Sequence, residues 1–480
     1  MTYGILAGGA YIPRLRLSRR AIVDANAWLN PALKSQAKGE RAMCNWDEDT
    51  VTMAVEASRD AVAGRDRSDI VALHLCSTTF PFLDRLNAGV VARALGLPEE
   101  VSTLDIAATQ RAATSALRTA IDTNAPALIV ASENRRGKAG SSTEIFSGDG
   151  AAAILLGNAD PVAVPLARAT VTADFVDHYR SVEAPFDYQW EERWIRDAGY
   201  LEIMPAVIGK CLGQAGVAAA DVNHFCMPAS LPRVVAAVAK AVGIPQASLC
   251  DGLGERCGDT GAAHPLLLLV AALEDAKPGE RILVVGFGQG ADAILFECTT
   301  ALTAPPGRLG VKGHLARRRE ELNYPKFLAF GDLIEIDRGM RAEADKQTPL
   351  SALWRHRDAV TSFQGGRCTA CGTLQFPRSR ICVNPNCNAL DTQEPHAFAD
   401  RVGRINSHTA DRLTYSPDPP ACYGMIQFEG GGRWMMDFTD LEADQLEVGR
   451  EMRMVFRIKD VDAQRGFRRY FWKAAPVTPT

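Results

Sequence analysis

Apolar positions in residues 1 to 300 fall into two alternating patterns: short β-branched runs, and Ala- and Leu-rich stretches of helical length. That alternation predicts α/β layers around a buried sheet. The runs Ile70 to Leu75, Ala127 to Ala131, Ala151 to Leu156 and Ile282 to Val285 read as strands. Thr50 to Ala63, Leu86 to Ala94, Ala112 to Asp122, Leu201 to Ala215 and Pro232 to Val242 read as helices. After Thr303 the pattern changes. APPG reads as a connector, the basic stretch Gly313 to Leu322 as a helix, and residues 400 to 475 as short alternating strands broken by Pro, Gly and Asp, the pattern of a small β-barrel.

An internal repeat organises the first part. GDGAAAILL from Gly148 and GQGADAILF from Gly288 match at a spacing of 140 residues, each after an apolar strand and an Ala/Leu-rich helix. Two copies of one α/β unit are therefore expected. Their equivalent helix N-termini, near Gln110 and Gly261, would approach a pseudo-twofold axis, where unpaired N–H groups and positive dipole ends can stabilise an oxyanion.

Composition narrows the function classes. The chain has 480 residues, 47% of them hydrophobic and 23% charged, which excludes a disordered or fibrous protein and requires more than one core. Net charge is −4, with basic residues in slight excess only after position 300, too mild an asymmetry to imply nucleic acid. The longest apolar run, Pro265 to Leu273, is far short of the ~20 residues of a membrane helix. The N-terminus lacks a signal-peptide pattern, so a cytoplasmic protein with reduced thiols is expected.

Eight of the twelve cysteines are scattered; the other four cluster as Cys368-Thr-Ala-Cys371 and Cys382-Val-Asn-Pro-Asn-Cys387. Four thiolates at this spacing suit tetrahedral zinc with every coordination position filled, a structural site without room for substrate.

GAYIPRLRLSRRAI, GERAMCNWDEDTVTMAVEA, LDIAATQRAATSAL, ERCGDTGAAHPLLLL and GFGQGADAILFE together resemble the thiolase superfamily, and within it the hydroxymethylglutaryl-CoA synthase and ketoacyl synthase III branch. Residues 320 to 477 resemble the zinc-ribbon plus OB-fold proteins that accompany acyl-CoA thiolases and steroid side-chain aldolases. The resemblance implies a duplicated five-layer αβαβα fold (1–160 and 161–303), a connector with a helical segment (304–360), a zinc ribbon (361–395) and an OB-fold (396–480). It also implies a homodimer, coenzyme A as substrate or carrier, structural zinc, and a possible partner acyl-CoA enzyme.

The chain departs from the family at the residues that carry chemistry. Where the family has its acylated Cys, five residues after Asp105, stands Gln110, and an amide cannot be acylated by a thioester. The family's His falls on Cys226 or Pro228, its Asn on Asp259, and the synthase acid near Ser77. Three readings follow: C–C bond cleavage or formation in a β-keto or β-hydroxy acyl-CoA without an acyl-enzyme, decarboxylation of a malonyl-type thioester at Gln110, or a non-catalytic scaffold for a partner enzyme. The first is favoured, with Gln110, Asp259 and His264 as candidate catalytic residues and Cys76 or Cys257 as substitute nucleophiles. Asp259 could instead cap its helix, and His264 could be a hydrogen-bonded core residue. The strip Arg465, Arg468, Arg469, Tyr470, Phe471 and Trp472 suits a nucleic-acid groove, a role that the fusion to a thiolase-like domain disfavours.

Overall fold

The computed structural model describes residues 2–302 and 307–477. The boundary expected at 303 and 304, with most of its connector, lies outside them. Two compact units are present: one of residues to Asn45, Asp49–Ala92 and Leu97–Gly331, the other of Trp46–Glu48, Arg93–Gly96 and Asp332 onward.

The first unit is built on nine strands: β1 (Gly4–Tyr11), β2 (Ala72–Cys76), β3 (Ser102–Ile106), β4 (Ala127–Glu133), β5 (Gly150–Gly157), β6 (Ala163–Thr172), β7 (His224–Cys226), β8 (Arg281–Phe287) and β9 (Gly290–Cys298). Their order is β7-β8-β9-β6-β1-β5-β4-β2-β3, so β1-β5-β4-β2 and β6-β9-β8-β7 run outward from the centre as two copies of one pattern. The copies join where Ile5 pairs with Ala163. The repeated GxG segments enter equivalent strands, β5 and β9. A parallel bridge from Phe225 to Leu249 stands where the first copy has β3.

Helix Thr50–Ala61 covers β1, β4 and β5 on one outer face, and helix Leu201–Ala215 covers β6 and β9 on the other. Between the copies lie α1 (Ala112–Thr123) and α2 (His264–Asp275), packed against each other and against strands of both. This makes five layers. Buried from His264 through Val270, α2 has no solvent face, which explains its unbroken HPLLLLV run. One expectation is corrected: the basic helix runs Gly310–Ala316, and Arg319–Glu321 is a strand parallel to Leu15–Ser18. The charged residues RREEL suit an exposed edge strand better than a buried helix face.

The repeat also fixes how the copies clasp each other. Gly148 of the first donates its N–H to the Asp259 carbonyl at 2.9 Å, in the segment that enters α2. Gly288 of the second accepts from Thr109 Oγ1 at 3.0 Å and Arg111 Nε at 2.9 Å, in the segment that enters α1. Each glycine loop thus positions the other copy's helix entry. A Cβ on Gly148 would lie 1.8 Å from the Cys257 carbonyl oxygen, a clash with backbone that no rotamer relieves. Gly148→Ala is expected to destabilise the protein by about 3 kcal/mol, read as a lower urea midpoint at unchanged slope.

In the second unit, Gln364–Cys368, Leu374–Gln375 and Gln393–Ala397 form a small antiparallel sheet. A five-stranded sheet comprises β10 (Gly403–Asp411), β11 (Ala421–Phe428), β12 (Arg433–Asp437), β13 (Glu451–Asp462) and β14 (Phe467–Pro476), ordered β12-β11-β10-β13-β14. Just past β12, Phe438 bridges Ala474 of β14 in parallel, bringing the two edges together. Phe363, Phe398, Phe428, Phe456 and Trp472 fill the interior. The stacking strip is broken: Tyr470 and Trp472 are buried, and the more exposed Arg465 and Arg469 pair with Asp462 and Asp460.

Candidate active site

A cavity of about 510 Å³ in the first unit has Ser35, Gln36, Lys38 and Glu255 at its solvent side, with Gln110, Arg135, His178, Tyr200 and Asp259 among its lining residues. Gln110 sits just before α1, after Ala108, whose φ of +72° is a conformation that side chains other than glycine rarely adopt. This strained turn presents Gln110 beside the helix N-terminus, where the dipole favours negative charge.

With its amide oxygen toward Arg135, Gln110 accepts from the guanidinium at 2.7 and 3.1 Å and from His178 Nε2 at 3.0 Å. The reverse orientation sets its NH₂ against those donors. His178 Nδ1 lies 2.8 Å from the Asp177 carboxylate, which fixes the ring. Asp187 accepts from Arg135 Nε at 3.2 Å and from Arg180 at 2.9 Å. Burial opposes the charge on Arg135, but Asp187 outweighs it and holds the guanidinium protonated. The same pairing outweighs burial at Asp187, whose carboxyl is held below the usual range. Donors of fixed orientation and positive charge thus converge on one point beside α1.

Asp259 lines the same cavity and, at 2.8 Å, accepts the Gly261 N–H through Oδ1, so it caps the turn entering α2. Its carboxylate nonetheless faces the site that holds Arg135 and Tyr200, whose ionisations both feel its charge. Burial pushes the Tyr200 hydroxyl well up, so it stays protonated. His264, by contrast, is buried and committed: Nδ1 accepts from the Thr260 N–H at 3.0 Å, and Nε2 is 3.0 Å from the Gly252 carbonyl. It is not among the residues lining the cavity. Gln110 and Asp259 are brought together, and His264 holds the backbone next to Asp259.

Among the described residues no cysteine lines this cavity. Cys76 and Cys257 are wholly buried, and burial pushes their thiols up, Cys257 to about 12, so neither supplies a thiolate. No imidazole stands at Cys226 or Pro228; one lines the cavity at His178, in DFVDHYR on a short hairpin after β6. Near Ser77 a buried carboxylate does stand, Glu133, at the end of β4 beside β2, where it accepts from Thr78 N at 2.6 Å and Thr79 Oγ1 at 2.8 Å; it is not among the residues lining the cavity. Burial raises its carboxyl against those bonds. Arg135, two residues on, lies past the same strand end. A polar cluster in SENRR closing a buried strand was the one signal that pointed to it.

In the second unit, Cys368, Cys371, Cys382 and Cys387 converge with all four sulfurs within 4.8 Å of one another, the Cys371–Cys382 and Cys368–Cys387 pairs at 3.6 and 3.9 Å. Tetrahedral thiolates at ~2.3 Å from zinc lie about 3.8 Å apart. The Cys371–Cys382 and Cys368–Cys387 separations match that spacing.

Residues 212–297 match the family model for the C-terminal part of 3-oxoacyl-[acyl-carrier-protein] synthase III. The chain is 30% identical to the hydroxymethylglutaryl-CoA synthase of Caldivirga maquilingensis over 355 residues, 71% of this chain and all of that one. It is also 30% identical to that of Methanocella arvoryzae over 311 residues, 62% of this chain and 88% of the relative. Among solved structures, a hydroxymethylglutaryl-CoA synthase complexed with CoA superposes with a TM-score of 0.60 at 17% identity, covering 72% of this chain and 95% of that one. The synthase III of Pseudomonas aeruginosa gives 0.55 at 22% identity, covering 64% and 100%. Among the described residues no helix is long and apolar enough to cross a membrane.

Proposed function

Because the chain belongs to the hydroxymethylglutaryl-CoA synthase family of the thiolase superfamily, we propose that it acts on an acyl-CoA and makes or breaks a C–C bond through a thioester enolate, without an acyl-enzyme. The observation that carries this reading is the convergence of Arg135 and His178 on the oxygen of Gln110, at the position where the resemblance puts the acylated Cys. Donors that meet at an amide oxygen can meet at a thioester enolate oxygen placed beside it. In the cleaving direction, Asp259 takes the proton of a β-hydroxyl, the Cα–Cβ bond breaks, and a carbonyl compound leaves. The electron pair passes into the enolate held by Arg135 and His178, and protonation at Cα gives the shortened acyl-CoA. The coenzyme would enter at the Lys38 side of the cavity, where a lysine and polar side chains meet solvent.

His178 also supports a second reading, decarboxylation of a malonyl-type acyl-CoA, because the same donors would hold that enolate and no base is needed. Incubation with β-hydroxyacyl-, β-ketoacyl- and malonyl-type CoAs, with mass spectrometry of products and intact protein, tests both. Shortened CoA products with unmodified protein support the first; loss of carbon dioxide alone supports the second. An acylated protein refutes both, and no turnover at all favours a scaffold for a partner acyl-CoA enzyme. Gln110→Ala is expected to lower kcat by about tenfold, because the amide oxygen that orients the Arg135 and His178 donors is lost.

The four-cysteine cluster would hold structural zinc, since its sulfur separations fit the ion and four thiolates leave no open position. The strand order of the second unit, with its parallel contact between third and fifth strands, supports an OB-type barrel beside that zinc ribbon. A homodimer would pair through β3, the outer strand of the first unit's sheet, which carries the half-exposed Leu104. Light scattering on a sizing column reads its mass.

A further inference from the structure

Outside the cavity, one cluster of reactive side chains has no role in this chemistry. Cys226 ends β7, and the bridge of Phe225 with Leu249 brings Cys250 alongside it, one residue on in register. The two sulfurs are 3.5 Å apart, and the Cys250 N–H donates to the Phe225 carbonyl at 3.2 Å. Sulfurs on adjacent paired residues need only close from 3.5 Å to the ~2.05 Å of a disulfide, a side-chain motion at fixed backbone. The two thiols differ in surroundings. Cys226 is wholly buried, whereas Cys250 is partly exposed and lies near His224, whose Nε2 is 2.8 Å from Glu280. Its bond from the Cys226 thiol, and then His224, lower the Cys250 thiol into the range of a thiolate at neutral pH.

We infer that Cys226 and Cys250 form a peroxide-reactive dithiol, with Cys250 the attacking sulfur and Cys226 the resolving one. The Cys250 thiolate attacks one oxygen of hydrogen peroxide, the O–O bond breaks, and water and a Cys250 sulfenic acid result after protonation of the leaving oxygen. The Cys226 sulfur then attacks the Cys250 sulfur, the S–O bond breaks, and a second water leaves as the S–S bond forms. Two thiols are oxidised and one peroxide is reduced to two waters. The disulfide would tie the end of β7 to the start of the segment Asp251–Gly258, which runs to Asp259, and so connects redox state to the cavity wall.

The test treats the full-length protein with ten equivalents of hydrogen peroxide and follows intact mass and non-reducing peptide maps. A loss of 2 Da is expected, with one cross-linked peptide pair carrying Cys226 and Cys250 and reversal by dithiothreitol. Iodoacetamide labelling of Cys250 should fall more than tenfold after oxidation. In Cys226→Ser the sulfenic acid should persist and react with dimedone at residue 250. A disulfide confined to other cysteines, or sulfenic acid that stays on Cys250 in the unmutated chain, overturns the inference, and so does an unchanged mass. None of these outcomes depends on which thioester the cavity takes.

Discussion

Asp259→Asn is expected to lower turnover of a β-hydroxyacyl-CoA by about 10²- to 10⁴-fold, the usual contribution of a positioned general base. Asparagine keeps the oxygen that accepts the Gly261 N–H, so the turn into α2 retains its cap and the melting temperature should hold. That separates catalysis from capping, the two roles open to this residue from its sequence. His178→Ala removes an oxyanion donor and should cost about 10²- to 10³-fold for any reaction that passes through the enolate. The pair of variants therefore distinguishes the two chemistries. Aldol-type cleavage needs both residues, whereas decarboxylation needs His178 and survives Asp259→Asn. Steady-state kinetics on both substrate types decides it. If Asp259→Asn retains full activity toward β-hydroxyacyl-CoAs, another group is the base and the mechanism is wrong.

How much of this was legible beforehand depended on whether a residue's role is local. The nine-residue repeat revealed the duplication because both GxG segments must thread glycine backbone against the opposite copy, and that constraint leaves a fixed spacing on the chain. Strands β4, β5 and β8 and helices Leu201–Ala215 and α1 were predicted to within about two residues, because a buried strand or a one-faced helix carries its period in sequence. Gln110 and Asp259, singled out by their motifs, both line the cavity. His178 and Arg135 were missed because each reaches the cavity from a different element: one from a hairpin 68 residues from Gln110, the other from the end of a neighbouring strand. Only the sheet order brings them together. His264 was read as catalytic because it stands at the helix entry, but one position along a helix turns a side chain by ~100°, and this one faces the Gly252 carbonyl instead of the cavity. The stretch ARRREEL failed for a related reason: its helical propensity is overridden by the parallel edge that Leu15–Ser18 offers.

Loss of zinc is expected to have the largest effect on the second unit. Structural zinc in small thiolate sites contributes about 10–16 kcal/mol of binding energy that is also folding energy, more than the net stability of most domains. Here the consequence should not stop at the ligands. Cys368 lies at the end of Gln364–Cys368, the central strand of the small sheet, and Phe363 directly precedes that strand. Phe363 stacks on Trp472 with centroids 6.0 Å apart and meets Phe376, Phe398 and Phe428, so the ribbon and the five-stranded sheet share one aromatic interior. Releasing the cysteines frees the turn between Cys368 and Cys371 and the loop to Cys387, and thereby the register of the strands that carry Phe363 and Phe398 to that interior. The purified protein should hold about one zinc per chain by mass spectrometry of the metal. Cys382→Ser, whose sulfur is buried in the cluster, should lower that content severalfold and expose amides of both 364–397 and 403–476 to hydrogen exchange. Exchange confined to 364–397 would show that the two sheets are energetically separate despite their common ring cluster. A metal-free chain with native protection throughout would mean that the thiols close this core without an ion.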